Sequence, residues 1–185
     1  MVGETAHSRR VQRASWLYRE LDLVEELRSE AEQALEQESR KHKGCAVLRT
    51  VPGIGPMRSA QIVGHVASPH RFRTKRQFWS YSGLSVTYRS SSEHVVEPTG
   101  IRRKTQLYST GLGKEYNRTP KTVFKSAAVE AIRPGMKPWY ESRVESGMRP
   151  EMAQLSVARK LAAICLALGK KGERYDENIA LKRTS

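Results

Sequence analysis

Apolar residues recur at helical spacing through the first quarter of the chain. They stand three and four positions apart, with no Gly or Pro between them, at Leu17, Leu21, Val24, Leu27, Ala31 and Leu35. This pattern predicts one helix from about Val11 to Lys41. About 30 helical residues reach roughly 45 Å, which is longer than a small domain is wide. We expect a partner for its narrow apolar stripe: a second chain in a coiled coil, another domain, or the chain's own downstream domain.

A glycine-rich turn between two short apolar runs follows this helix. The stretch LRTVPGIGPMRSAQIVGHV, from Leu48 to Val66, looks like a helix-hairpin-helix whose turn is Gly53, Ile54 and Gly55. Glycine allows unusual backbone angles and lets backbone N–H groups approach a phosphate without a Cβ in the way. Arg58 adds a cation on the second helix. DNA-backbone contact is the favoured interpretation, and the alternative is a plain helical corner without a ligand.

Further along the chain, the pattern predicts four more helices and one non-helical segment. The helices are expected at about Thr74 to Gly83, Thr119 to Ile132, Trp139 to Ser146 and Glu151 to Leu168, with a strand or irregular hairpin between Ser85 and Lys104. The predicted fold is mainly α, with a long N-terminal helix, a helix-hairpin-helix and a small helical domain that carries a short strand or irregular insertion. The expected units are a helical linker or coiled-coil segment at 1–43, the helix-hairpin-helix at 44–67, a serine-containing domain at 68–176 and a tail at 177–185.

The charge distribution changes this picture, because the excess of positive charge is confined to one part of the chain. The 185 residues include 33 Lys and Arg against 19 Asp and Glu, a formal net charge of +14. The first 43 residues hold eight basic and nine acidic side chains, so the whole excess lies downstream. A strongly basic domain indicates a polyanionic partner such as DNA or RNA.

Composition also bears on the compartment. Cys45 and Cys165 stand alone, with no CxxC motif or His cluster beside them, so neither a disulfide framework nor a zinc site is expected. The first residues lack the apolar core of a signal peptide, and no run approaches the roughly 18 apolar residues of a membrane span. We therefore expect a cytoplasmic protein.

Two basic segments are candidates for nucleic-acid contact. In the first, cations alternate with aromatic residues that we expect to pack in the core while the cations face phosphates. These cations are Arg71, Arg73, Lys75 and Arg76. The second is a basic loop that leads into the Thr119 helix, and its cations are Lys114, Arg118 and Lys121.

A run of three serines lies between these two segments. Ser90, Ser91 and Ser92 follow Arg89 and precede Glu93 and His94. A serine nucleophile needs a base to take its proton and cations to hold the phosphate that it attacks. His94 is the nearby neutral base, and the candidate phosphate clamps are Arg89, Arg102, Arg103 and Lys104. A solvated serine loop beside a surface histidine is the alternative.

Four stretches in this order resemble one protein family. They are TVPGIGPMRSAQIVGHV, then RFRTKRQFWSYSGL with the serine run, then GLGKEYNRTPKTVFKSAA, then GMRPEMAQLSVARKLAAICLALGKKGERYD. Together they resemble the C-terminal transposase domain of the bacterial insertion sequences of the IS-one-ten and IS-eleven-eleven group, over about Leu48 to Asp176. The resemblance implies site-specific recombination guided by a structured bridge RNA, in which a serine attacks a DNA phosphate and becomes covalently joined to it.

The resemblance also implies roles for individual residues. The family's serine lies seven residues after a Gly-Leu pair and is followed by Gly, so counting from Gly83-Leu84 places it at Ser91. Ser92 stands where the glycine belongs, which keeps Ser90 and Ser92 as alternatives. Asn117 and Arg118 fall in the family's recurring Gly-Leu…Asn stretch, which implies nucleic-acid contact, although a helix-capping role is the favoured one for Asn117.

Family members carry a metal-binding domain ahead of a long helical linker. The resemblance implies that its four acidic residues, a DEDD set, bind Mg²⁺ in the complete enzyme. About ten residues precede the long helix, and the acids from Glu20 to Glu38 lie along one solvated helix rather than converging. We therefore expect no metal ligands in this chain, activity only with a DEDD domain, and self-association through the first helix. A non-catalytic DNA-binding module that dimerises through that helix is the alternative, and an accessory role in DNA repair is a third.

Overall fold

A computed structural model describes residues 2–97 and 100–177. Its helices are α1 (Val2–Arg40), α2 (Lys43–Leu48), α3 (Pro56–Val66), α4 (Lys75–Tyr81), α5 (Arg118–Ala131), α6 (Lys137–Glu145) and α7 (Pro150–Lys171). A single antiparallel hairpin, β1 (Val86–Glu97) and β2 (Gly100–Leu112), separates α4 from α5. One 3-10 turn covers Pro69–Arg71 and one π turn covers Ile132–Met136. The mainly α prediction is therefore confirmed, and the predicted tail beyond residue 177 lies outside the described residues.

The core is built around α7. Much of its apolar face is buried, and α5 and α4 pack against it. Phe78 of α4 lies between Phe72 and Phe124 of α5, with ring centroids 5.0 and 5.7 Å away. Residues of α2 and α3 belong to the same cluster, so the expected segments 44–67 and 68–176 share one core.

The α7 helix is more apolar than the sequence analysis anticipated. By length and composition alone it could cross a membrane, since its mean hydropathy reaches 1.3. However, 44% of that apolar window is buried inside the protein. The centre of the core contains Leu161, Ala162 and Cys165 of this helix. Such burial is typical of the core helix of a folded domain.

Most of α1 projects away from this core. The helix starts nine residues earlier than predicted and is about 58 Å long at 1.5 Å per residue. Only its last turns dock, where Ser39 is buried and Glu36 lies 4.0 Å from Arg49. Its apolar stripe is open, because Leu17 is 58% exposed and Leu27 is 55% exposed. The chain's own downstream domain therefore does not cover this stripe.

The glycine turn between α2 and α3 is packed against α5. Gly53 has a φ of +75°, and a Cβ there would collide with the carbonyl oxygen of Ala127. Ile54 is 3% exposed and belongs to the core. Gly55 is the N-cap of α3, and Pro56 occupies the first helical position, as predicted. Gly53 is therefore required by helix packing, a cause that the sequence did not reveal.

The insertion between α4 and α5 is longer and more regular than expected. Its strands have 12 and 13 residues, and they pair in register from Tyr88↔Ser109 to Glu97↔Gly100. A register shift between Val86 and Tyr88 interrupts the pairing at its base. The expected short strand or irregular insertion is thus a long β-hairpin that enters and leaves the helical core at adjacent points.

Candidate nucleic-acid interface

The foot of the hairpin is fixed to the core by Gly83 and Leu84. Gly83 has a φ of +63°, and a Cβ there would strike the ring of Tyr116. Leu84 is fully buried, and its N–H donates to the carbonyl oxygen of Trp79 at 2.8 Å. The Nε atom of Arg159 donates to the carbonyl oxygen of Leu84 at 2.6 Å. The Gly-Leu pair that precedes the serine run is therefore an anchored point.

The serine run lies within β1. Ser91 pairs with Gln106, while Ser90 and Ser92 pair with Leu107 and Thr105. Across the hairpin, the register places the expected clamps as follows: Arg89 opposite Tyr108, Arg102 opposite Val95, Arg103 opposite His94 and Lys104 opposite Glu93. The structure describes these residues by their backbone register alone, so the choice of nucleophile among the three serines stays a prediction.

Next to the hairpin foot, three polar side chains join the ends of α3, α4 and α5. We call His65, Tyr81 and Asn117 the Tyr81 network. The Tyr81 hydroxyl donates to the carbonyl oxygen of His65 at 2.7 Å, and the Asn117 Nδ2 atom donates to the Tyr81 hydroxyl at 3.1 Å. The same Nδ2 lies 3.2 Å from the His65 Nδ1 atom. The network therefore fixes where three helix ends meet.

Asn117 also caps α5, as the sequence favoured. Its Oδ1 atom accepts from the backbone N–H of Thr119 at 3.1 Å. Both ends of the amide are thus engaged within the protein. The capping prediction is confirmed, while nucleic-acid contact by Asn117 stays a prediction.

Cations from both basic segments gather around this network. The Arg71 guanidinium lies 4.7 Å above the ring centroid of Tyr81 and 4.7 Å above that of Phe72. Arg118, the residue after Asn117, is exposed at the first turn of α5. Other expected cations of the two segments are also exposed, at Arg73, Arg76 and Lys114. Helix packing therefore brings Arg71 and Arg118, 47 positions apart in sequence, to one place beside the hairpin.

Lys121, the third cation of the basic loop, lies in α5. Its Nζ atom lies 4.0 Å from the ring centroid of Tyr116. A hydrogen bond from Lys121 lowers the pKa of the Tyr116 hydroxyl, and the positive charges of Lys121 and Arg118 act in the same direction. Lys121 and Arg118 therefore place positive charge at the start of α5.

The glycine turn lies at the other end of α3 from the Tyr81 network. Gly55 and His65 are ten helical positions apart, or about 15 Å. The space beside Gly55 is open, since a Cβ there meets nothing within 4 Å. Of the three turn residues, Gly55 alone has the free approach that a backbone–phosphate contact needs.

Arg58 is engaged inside the protein. Its guanidinium forms two hydrogen bonds with the Glu130 carboxylate, at 2.5 and 2.6 Å, and donates to the Gly53 carbonyl oxygen at 2.8 Å. These hydrogen bonds lower the pKa of the Glu130 carboxyl and raise that of the Arg58 guanidinium. The side chain ties the turn to the C-terminal end of α5, so its expected phosphate contact competes with an existing partner.

A metal centre does not form among the described residues. No group of three or more His, Cys, Asp or Glu side chains converges there. Both cysteines are buried and free. The acids of α1 form ion pairs along the helix, such as Arg28–Glu32 at 2.8 Å. These residues do not fit the Mg²⁺ cage that the resemblance implies for the complete enzyme, and we derive no step through a metal.

Sequence reasoning missed Arg159, Tyr116 and the Tyr81 hydroxyl as structural determinants of the site. Arg159 had a visible signal, since it interrupts the apolar run from Leu155 to Leu168 of a core helix. Tyr116 and Tyr81 had no such signal. Their partners are distant in sequence and become neighbours only through helix packing.

One family model matches the chain, and it covers most of this site. The model is described as the transposase IS116/IS110/IS902 family, and it matches residues 45–144. The chain belongs to this family. The match runs from α2 into α6 and includes the glycine turn, the Tyr81 network and the hairpin. A comparison with curated proteins found no match. Membership supports a transposase-related function and implies interaction with DNA.

Proposed function

We propose that this chain takes part in DNA transposition by site-specific recombination, with Ser91 as the nucleophile that attacks a DNA phosphate. The observation that carries the proposal is the family match over residues 45–144, which contains the serine run. The anchored Gly83-Leu84 pair supports counting seven residues to Ser91, because the count starts from a fixed point of the fold.

In the proposed reaction, the Ser91 oxygen forms a bond to the phosphorus of a DNA phosphodiester. The bond from that phosphorus to one sugar oxygen breaks, the proton of the serine hydroxyl passes to solvent, and the departing sugar oxygen takes up a proton from solvent. His94 lies three positions from Ser91 in the paired part of β1, on the opposite face of the strand, so we do not assign it as the base. The product is a serine phosphodiester and a free strand hydroxyl. A hydroxyl of the exchanging strand reverses the step and releases the serine. The cations of β2, beginning with Arg102, neutralise the phosphate charge.

Nucleic acid approaches the hairpin from the basic face around the Tyr81 network. Arg71, Arg118 and Lys121 contact DNA phosphates, and the open backbone at Gly55 provides a second contact about 15 Å away. A structured guide RNA shares this basic surface. The reaction takes place in the bacterial cytoplasm and needs a DEDD domain that binds Mg²⁺.

The α1 helix provides self-association in this proposal. Its exposed apolar stripe faces away from the core, so a second copy of the chain would bury it. Recombination exchanges strands between two DNA molecules, and a dimer places two serine sites on one assembly.

The test of the function is a serine series with the DEDD domain restored. Ser91→Ala should abolish both recombination and the covalent protein–DNA adduct that is detected after denaturing electrophoresis, while duplex binding persists. Ser90→Ala and Ser92→Ala are the matched controls and should retain both activities. Recombination by Ser91→Ala would refute the assignment of the nucleophile. Salt-sensitive DNA binding without an adduct in any variant or in the parent protein would favour the non-catalytic DNA-binding module.

A further inference from the structure

A pocket of about 480 Å³ opens between α4, α6, α7 and the segment that follows α7. Its apolar lining includes Trp79, Trp139, Ile164, Leu168 and Tyr175. Ligand pockets in proteins typically measure about 300–1,000 Å³. The cavity is therefore large enough for a small planar ligand and has two indole rings to receive it.

One cation lies over the indole ring of Trp79 and two lie over that of Trp139. The Lys75 Nζ atom lies 5.6 Å from the ring centroid of Trp79. The Lys160 Nζ atom lies 4.9 Å from the ring centroid of Trp139. The Arg143 guanidinium lies 5.0 Å from the same centroid. Burial lowers the pKa of the Lys160 ammonium, and the neighbouring charge of Arg143 lowers it further.

The charge of the pocket is therefore unbalanced. Six basic residues line it, against Glu173 and Asp176 as the acidic ones. An anionic group such as a phosphate is attracted to this excess of basic side chains. The pocket combines an aromatic interior with an anion-attracting wall.

We infer that this pocket binds an unpaired nucleotide, with its base against the tryptophans and its phosphate beside Lys160 and Arg143. Aromatic side chains next to cations are the combination by which proteins hold single-stranded nucleic acid, because every base has a face to stack and every link a phosphate to neutralise. A base inside a duplex is already stacked on both faces and must first be unstacked and unpaired before it can enter such a pocket, whereas an unpaired base does not bear this cost. The expected ligand is thus single-stranded.

The back wall of the pocket is connected to the foot of the hairpin. The Trp79 Nε1 atom donates to the carbonyl oxygen of Arg159 at 2.9 Å, and the Arg159 side chain holds the carbonyl oxygen of Leu84. The far wall is held by Tyr175, whose N–H donates to the Thr50 hydroxyl at 2.9 Å. A nucleotide in the pocket would therefore sit behind the point where β1 begins. This inference does not depend on Ser91 as a nucleophile.

Tryptophan fluorescence tests the inference directly. The chain has three tryptophans, and Trp16→Phe removes the one on α1, leaving only the two pocket rings. In this background, a thymidine pentamer should quench the emission in a saturable way. An abasic pentamer with the same number of phosphates should bind at least about fivefold more weakly, since it lacks the stacking base. A 12-base-pair duplex should give no saturable quenching.

Three substitutions locate the binding. Lys160→Gln should weaken pentamer binding several-fold, whereas Lys125→Gln, which removes the same charge from an exposed position on α5, should have a clearly smaller effect. Trp139→Leu should weaken binding at least about fivefold. Because Trp139 also packs against the core, the folding of the Trp139→Leu variant is checked by circular dichroism. If Trp139→Leu is unfolded, the comparison of Lys160→Gln with Lys125→Gln tests the inference instead.

Three results would overturn the inference. The first is equal affinity for the abasic and the thymidine pentamers. The second is an equal loss of pentamer affinity in Lys160→Gln and Lys125→Gln. The third is no saturable quenching of tryptophan emission by any strand. The last result is also expected if the pocket receives a protein segment. Loss of pentamer binding with duplex binding retained leaves the proposed transposase function intact, so the two failures are distinguishable.

Discussion

Arg159 on α7 donates a hydrogen bond from its Nε atom to the carbonyl oxygen of Leu84, 75 residues away in sequence, at 2.6 Å. Leu84 is fully buried at the foot of the hairpin. A buried carbonyl needs a donor, and here the donor comes from the central core helix. The position of the hairpin is thus set by the core and not only by its own strand pairing.

We expect Arg159→Met to destabilise the protein by about 1.5–3 kcal/mol, the usual worth of a hydrogen bond from a charged donor. The methionine keeps part of the alkyl packing but leaves the Leu84 carbonyl without this donor. Urea unfolding measures the change. Arg174→Met, the same exchange at an exposed position, is the control and should be within about 0.5 kcal/mol of the parent. Equal losses in the two variants would contradict this role of Arg159.

Gly53 and Gly55 should respond differently to alanine. Gly53→Ala should cost about 2–4 kcal/mol, because the φ of +75° disfavours a side chain and the added Cβ meets the backbone of Ala127. Gly55→Ala should cost about 1 kcal/mol or less, the difference between Gly and Ala at an N-cap. Urea unfolding of both variants checks the order.

The same pair separates packing from phosphate contact. Gly55→Ala should fold and still bind duplex DNA more weakly, by roughly 1–2 kcal/mol, because the new methyl group stands where the phosphate approaches. Fluorescence anisotropy with a labelled duplex measures this change. Unchanged DNA affinity in folded Gly55→Ala would leave the α2–α3 turn as a helical corner without a ligand.

The Arg58–Glu130 pair should give a pH-dependent contribution to stability. Arg58 lowers the pKa of the Glu130 carboxyl below its ordinary value of 4.5, so the folded state favours the ionised form. The contribution is therefore present above the unfolded-state pKa and is lost as the pH falls through the lowered, folded-state value. Glu130 is largely exposed, which limits the pair to about 0.5–1 kcal/mol.

Glu130→Gln tests this dependence. At pH 7 it should be less stable than the parent protein by about 0.5–1 kcal/mol in urea unfolding, and the difference should shrink as the pH falls below 4.5 through the lowered pKa of the folded state. Glu145→Gln, at an exposed position at the end of α6, is the control. A difference that is constant with pH would show that Glu130 acts through packing and not through its charge.

Asn117 offers a way to separate helix capping from the Tyr81 network. Asn117→Asp keeps an oxygen that accepts from the Thr119 N–H but loses the donor to Tyr81 and His65. Asn117→Ala loses both. We expect the alanine variant to be less stable than the aspartate variant by about 0.5–2 kcal/mol, the usual worth of an N-cap. Equal stabilities in urea unfolding would mean that the cap contributes nothing here.

The sequence predicted the elements whose determinants are local. The α4 helix was expected at Thr74 to Gly83, and Thr74 caps it through a reciprocal pair of hydrogen bonds with Gln77. The capping role of Asn117 could also be predicted, because the Asn117 side chain accepts its hydrogen bond from the N–H of Thr119, only two residues away. Spacing and capping chemistry are properties of a short window, so one sequence suffices to find them.

The features that the sequence could not predict depend on residues far apart in the chain. Arg58 looked like a phosphate ligand, and its partner Glu130 is 72 residues away. The pocket needs Trp79 and Trp139, 60 residues apart, to face one cavity beside α7. The serine run was recognised by resemblance, and its placement in a long regular strand was not. Packing, which no local window contains, decides each of these cases.

The exposed stripe of α1 leads to a prediction about assembly. Replacing Leu17, Leu21 and Val24 together by serine removes apolar side chains that are each at least half exposed in the single chain. If a second copy buries them, full burial is worth about 1.5–3 kcal/mol per side chain, so the triple variant should dissociate. Sedimentation velocity at micromolar concentration should show a dimer or larger assembly for the parent protein and a monomer for this variant.

The opposite face of α1 supplies a matched control for this prediction. Arg19, Asp22 and Glu26 lie about half a turn away from the stripe, so their replacement by serine lowers helix propensity to a similar degree without touching the apolar surface. This control should keep the parent's oligomeric state. Dissociation of both variants would indicate that helix stability, rather than stripe burial, holds the assembly together. A parent protein that is monomeric throughout would refute self-association through α1 and favour another domain as the partner of the stripe.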